Sequence, residues 1–242
     1  MSTDPLSIGL SGLEAYSTEI DVSANNVANV GTAGFQGQSV EFENLFAGAK
    51  ARIVANTAAG GLDPTGIGTN VAISGAGFFV LQGPQGSPIY TRAGNFIPSG
   101  NGLLVDAASG LPVTNVNGGS IAIPAGATNV SIGADGTVSA TLPNGQPATL
   151  GRVALAAFQN PGGLLHTGGG YQASADSGNV LTGAPGTAGY GSLVPGFLES
   201  SNVDLADEFV KMIAGQAAFA ANAKTVRTGD EMLKTVIDMD ET

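Results

Sequence analysis

Apolar residues recur at alternating steps of four and three along the last forty-odd residues of this 242-residue chain. Leu205, Phe209, Met212, Gln216, Phe219, Ala223, Val226, Asp230, Leu233 and Ile237 fall on one line, broken only at Gln216 and Asp230. The spacing predicts a single helix of about 55 Å at 1.5 Å rise per residue. Asn202 or Asp204 is placed to cap its start, and Asp207 and Glu208 put negative charge in the first turn, where the helix dipole favours it. Further apolar residues lie off the line at Val210, Ile213, Ala217, Ala220 and Ala221. A stripe this wide requires more than one partner helix.

The other end of the chain carries the same alternation at Leu6, Leu10, Leu13, Ser17, Ile20, Ala24 and Val27. Asp4-Pro5 reads as a cap and first helical residue, and Gly31 as a left-handed terminator. Ser17 and Ala24 are small enough for a neighbouring helix to come close, and Ser11-Gly12 reads as a helix-packing site. This helix has acids but no lysine or arginine, whereas Lys211, Lys224, Arg227 and Lys234 hold half of the basic residues. That complementarity sets register and contributes little energy when exposed. Two readings stand: two amphipathic helices lying on a globular core, or a paired coiled coil with everything else inserted between its strands. The width of the C-terminal stripe favours the second. The expected fold class is therefore α+β. A discontinuous helical domain comprises residues 1–33 and 201–242, followed inward by a connecting segment at 34–69 and an antiparallel all-β body at 70–200.

Thirty-eight glycines and few aromatics suit many short strands and turns in that body. Lys50 to Gly68, rich in alanine and glycine, reads as a linker, and Phe35 to Phe46 as a strand or short helix. Strands are expected at Val71–Ser74, Gly77–Leu81, Ile89–Arg92, Leu103–Val105 and Thr137–Ser139. Asp135-Gly136 and Pro143-Asn144-Gly145 mark turns, Arg152–Phe158 reads as the best single strand, and Gly162–Gly196 as an extended return path.

Composition also excludes function classes. Without cysteine there is no disulfide framework, thiolate metal site or thiol nucleophile. A net charge of −11 opposes binding to phosphate backbones or anionic membrane surfaces. Neither a basic, apolar secretory leader nor a bilayer-length apolar run is visible. The one histidine, His166, has no carboxylate near it in sequence, and the acids of the body stand singly in turns. Gly75-Ala76-Gly77 precedes a strand and no lysine follows, unlike a phosphate-cradling loop. No catalytic, cofactor-binding or metal-binding residues are assigned, and the chain is not expected to be an enzyme.

Four stretches then point to a family. Asn25-Asn26-Val27-Ala28-Asn29-Val30-Gly31-Thr32-Ala33-Gly34-Phe35, with Asp21-Val22 upstream, resembles the N-terminal motif of bacterial flagellar axial proteins. Gly77-Phe78-Phe79-Val80 and Tyr90-Thr91-Arg92-Ala93-Gly94-Asn95-Phe96 resemble the body motif of rod and hook proteins. Leu198-Glu199-Ser200-Ser201-Asn202-Val203-Asp204 resembles the stretch that opens their C-terminal helix.

The resemblance implies a structural subunit of the flagellar basal-body rod. Its terminal helices would form a coiled coil lining a hollow helical tube, with other axial proteins as neighbours. It would leave the cell through the flagellar type III export apparatus without a cleaved signal peptide, to lie in the periplasm-spanning rod. Asn25, Asn26, Ala28, Asn29, Thr32, Gly34 and Phe35 carry the motif, and the heptad lines above carry assembly. Ile121–Pro124 and Asp135–Val138 favour a distal over a proximal rod subunit. Leu45-Phe46-Ala47-Gly48 is similar to hook proteins, the near alternative. Two departures stand out: Gln36 where a basic residue is common, and Gln216-Ala217-Ala218-Phe219 where the family often reads Gln-Arg-x-Tyr. From the body alone, a carbohydrate-binding or adhesive module is the competing class. The large loop between the helices leads to the expectation that both ends order only on assembly.

Overall fold

The computed structural model describes residues 5–45, 48–168, 170–187 and 189–240. It contains two compact units. One draws on the chain through Val30, Gly37–Asn56 and the chain from Val203; the other comprises Gly31–Gln36 and Thr57–Asn202.

The first unit is built on two helices, α1 (Pro5–Ala28) and α2 (Leu205–Asp240). Both are formed, and they pack on one another. The Asp204 carboxylate caps α2, accepting the amides of Ala206 (2.8 Å) and Asp207 (3.3 Å). The Asp4 cap expected for α1 lies outside the described residues. Past Ala28, the Asn29 amide still bonds back to the Asn25 and Asn26 carbonyls. The left-handed residue comes later than the expected Gly31: it is Gly34, at φ +67°.

Between the helices in sequence lies a hairpin, β1 (Gln38–Leu45) with β2 (Gly48–Ala55), whose first strand falls in the stretch read as a strand or short helix. Its second strand occupies the beginning of the stretch read as a linker, while Phe46 lies outside the described residues. Glu41 stands opposite Arg52 and Glu43 opposite Lys50, so the exposed cross-strand charges are complementary. An isolated two-stranded ribbon is marginal in water; this one is supported by α1. The Phe42 ring meets Tyr16 at 5.2 Å, and the Ala49 amide donates to Ser11 Oγ (3.2 Å). One apolar side of α1 is thus covered by the chain's own hairpin.

The second unit is the antiparallel β body. Its strands begin with β3 (Leu62–Pro64), β4 (Val71–Ser74), β5 (Phe78–Gln82) and β6 (Pro88–Thr91). The largest sheet among the described residues runs in the order Leu165–Thr167, Gly170–Gln172, β6, β5, Leu155–Ala157, Leu181–Gly183. Strand β5 is buried on both faces. Phe79 and Leu81 join the main core with Val71, Phe96, Leu104 and Val153, while Phe78 and Val80 pack with Tyr90, Leu164 and Tyr171 on the other side. Thr128–Ile132, Thr137–Thr141 and Pro147–Arg152 form a three-stranded meander. The strand expected over Arg152–Phe158 is divided, ending at Arg152 and resuming at Leu155. The expected return path, Gly162–Gly196, carries strands instead. Ser192–Pro195 pairs with β4, and Phe197–Glu199 continues on to β3.

Burial holds the Tyr171 hydroxyl up to about 12, and burial also raises Tyr90. A phenol whose folded pKa is raised stabilises the fold at pH values below its unfolded value and loses that contribution as pH rises through the folded value. An ultraviolet titration of phenolate absorbance should therefore show Tyr171 ionising near pH 12, with body stability falling between about pH 10 and pH 12.

Candidate assembly site

The two helices run antiparallel, and they touch where side chains are smallest. A methyl group placed on Gly9 would lie 2.6 Å from Val226 Cγ2, and one on Gly12 would lie 2.8 Å from Asn222 Oδ1. On the other helix, a methyl on Gly215 would lie 3.1 Å from Ile20 Cγ1, and one on Gly229 would lie 3.2 Å from Leu6 Cδ2. Side chains at these four positions would force the helices apart. Gly215, Asn222 and Gly229, which meet α1, repeat at seven-residue intervals along α2.

That line runs one residue away from Gln216, Ala223 and Asp230 of the apolar stripe, a rotation of about 100° around the helix. The singled-out positions therefore divide into three groups. Leu6, Ile20 and Val226 touch the opposite helix, and Leu13, Val27 and Met212 are half-buried. Leu10, Leu205, Leu233 and Ile237 are exposed, as are Phe209 at 51% and Phe219 at 38%. Val210 and Ile213 are exposed beside them. The signal for the contact was present in Gly9, Gly12, Gly215 and Gly229, but an apolar pattern gives glycine no weight, and only Gly12 was singled out.

Polar groups fix the ends of this packing. Asn26 is buried and grips Gln38 at both backbone atoms: Nδ2 donates to its carbonyl (2.7 Å), and Oδ1 accepts its amide (2.9 Å). Its motif neighbours Asn25 and Ala28 are exposed, and the Asn29 side chain donates to the Asn25 carbonyl (2.9 Å). Buried Glu208 accepts from Lys211 Nζ (2.8 Å). Burial raises Glu19 above its ordinary carboxylate value; Lys211 opposes that shift and Glu208 adds to it. The rest of the motif belongs to the body unit, where Thr32 is exposed and Phe35 is buried with its ring edge-on to His166. Gly34 allows backbone contact, since a methyl there would sit 2.3 Å from the Ala93 nitrogen.

Three family models match the chain. One, described as Flagella basal body rod protein, covers residues 6–36. Another, Flagellar hook protein FlgE/F/G D1 domain, covers residues 72–140, and the third, Flagellar basal body rod FlgEFG protein C-terminal, covers residues 194–239. The flagellar basal-body rod protein FlgG of Bacillus subtilis is 37% identical over 96% of this chain and 97% of its own length. Its counterpart in Caulobacter vibrioides is 34% identical over 93% and 94%. The flagellar hook protein FlgE of Borreliella burgdorferi is 42% identical, but over 45% of this chain and 25% of its own length.

Gly9→Val should destabilise the helical unit by about 1–3 kcal/mol through overpacking while leaving the body's melting unchanged, a difference readable by circular dichroism at helical and strand wavelengths. Glu19→Gln should stabilise the same unit at neutral pH. The raised carboxyl contributes its stability below its ordinary value and loses it as pH rises, so the advantage of the amide should shrink as solutions are acidified towards pH 4.

Proposed function

The chain belongs to the flagellar rod and hook protein family as a structural subunit of the basal-body rod, and from that premise we propose that it polymerises through its terminal helices into the hollow tube of the distal rod. The observation that carries this reading is the outward face of α2. Phe209, Val210, Ile213 and Phe219 are exposed on a helix whose contact with α1 is already made by its glycines. An apolar surface of this kind marks an interaction site in a soluble subunit. Leu205 extends it near one end of the helix pair, and Leu10, Leu233 and Ile237 near the other.

In this reading the helices act as coiled-coil elements on two levels. Leu6, Ile20 and Val226, with the half-buried Leu13, Val27 and Met212, make the pair within a subunit. Leu10, Leu205, Phe209, Phe219, Leu233 and Ile237 meet further copies of the chain or other axial proteins. Coverage separates rod from hook: the rod relatives align along almost the whole chain, the hook relative along less than half of it. The subunit reaches the rod through the flagellar export apparatus.

Phe219→Asp should abolish polymerisation of the full chain, seen as loss of sedimentable filaments, while far-ultraviolet dichroism and the melting of the body remain those of the wild type. Placing a charge in a desolvated apolar contact costs several kcal/mol, enough to shift assembly by more than a hundredfold. Filaments formed at the wild-type concentration would remove Phe219 from the assembly surface.

A further inference from the structure

The body unit is entered and left by three stretches of chain: residues 31–36, those following Asn56, and those preceding Val203. All three meet at one residue. The Glu199 carbonyl accepts the Gly34 amide (2.7 Å), its Oε1 accepts the Gly60 amide (3.1 Å), and its Oε2 accepts Arg92 Nε (2.8 Å). Neighbouring bonds follow the same pattern. The Ser200 amide donates to the Gly61 carbonyl (2.8 Å), and the Asn202 side chain donates to the Ala58 carbonyl (2.7 Å). Gly60 lies so close that a methyl on it would fall 1.9 Å from the Ser200 carbonyl oxygen.

Arg92 ties this junction to the core. Its Nη1 donates to the carbonyls of Gly75 (3.0 Å) and Gly77 (2.7 Å), between β4 and β5. The side chains of Arg92 and Glu199 are only 4% and 2% exposed. A buried ion pair is a poor means of gaining stability, because desolvation cancels much of the attraction and a well-packed apolar pair does as well. What the pair fixes is geometry: two charges that must remain together hold three chain segments at one point.

We infer that Glu199, anchored by Arg92, is a positioning residue for the helical unit: by gathering the stretches through which the chain enters and leaves the body, it makes pairing of α1 with α2 a local event. The inference rests on the reading that those helices pair and assemble. Measured along the chain, the loop between Ala28 and Leu205 exceeds 170 residues. With the passages held at Gly34 and Glu199, the free chain left to close is about a dozen residues, and closure probability falling as the three-halves power of length makes pairing up to about fifty times more favourable. Three motifs that are far apart in sequence, around Gly34, Arg92 and Glu199, thus serve one closure.

Hydrogen exchange on the unpolymerised full chain tests this, comparing wild type with Arg92→Met/Glu199→Met and with Gly34→Ala. The double change replaces both buried charges together. Gly34→Ala removes none, but it strains a φ of +67° and the approach to Ala93. The expected result is faster exchange at Ala15 and Val22 of α1, by a factor between about five and about fifty, with Phe79 and Leu81 of β5 unchanged. Unchanged α1 amides, or α1 and β5 amides accelerating by the same factor, would overturn the inference. If the double variant loosens β5, Gly34→Ala alone decides the question by the same two criteria. Because this measurement needs no filaments, it stands apart from the Phe219→Asp experiment: failure of that variant to block assembly removes Phe219 from the assembly surface and leaves the exchange result intact.

Discussion

Helices α1 and α2 approach most closely where each lacks a side chain, and most of what distinguishes the helical unit follows from that closeness. Gly9 and Gly12 admit Val226 and Asn222, and Gly215 and Gly229 admit Ile20 and Leu6. A contact so lean in side chains has no room for phenylalanine. The largest apolar groups of α2 are therefore turned outward, and the helix buries few of them in its own subunit. Close intramolecular packing and a large surface left for intermolecular packing are two results of one placement of glycine.

The β body resolves a different tension. A chain with thirty-eight glycines and few aromatics has little bulk with which to fill a core. It concentrates that bulk on β5, whose alternate residues enter two separate clusters, so that a five-residue strand organises apolar layers on both its faces. The aromatic rings follow: Phe79 lies edge-on to Phe96 on one side, and Phe78 edge-on to Phe158 and Tyr171 on the other. Edge-to-face pairs add modestly to the stabilisation from area alone. Packed on both sides, β5 is a rigid support for Arg92, which bonds to the carbonyl of Gly77 immediately before it.

Elements with strong local chemistry could be read from the sequence. The two terminal helices, the Asp204 cap, β4 and the turn at Asp135-Gly136 depend on periodicity, a short acid or a glycine, and they stand close to their expected places. Elements defined by what they pack against could not. The hairpin β1–β2 has an alanine- and glycine-rich second strand whose stabilisation comes from α1, so its composition resembles that of a linker. The strand at Arg152–Phe158 is interrupted because Val153 bridges instead to Asn115, a partner remote in sequence. The helix contact was displaced for a related reason: hydrophobic periodicity weights leucine and phenylalanine, while the surfaces that meet are marked by glycine. Gly34 illustrates the limit from the other side, since the need for a left-handed residue was foreseen and its position was not.

The unequal lengths of the helices carry a last consequence. Leu6, near the start of α1, lies against Gly229, yet α2 continues to Asp240, roughly eleven residues or about 16 Å further. Met232, Leu233 and Ile237 are exposed on this overhang. An object with a protruding end is polar in the sense that an arrow is. Two copies related by a twofold axis would bury like against like and stop at a dimer, whereas a protrusion seated on a different surface of the next copy recreates the same vacancy at each addition. Growth by such a step has a direction, and it is open-ended when the rotation between copies does not close a ring. In the assembly proposed above, an uneven end of this kind favours a contact that extends a line over one that closes on a twofold partner.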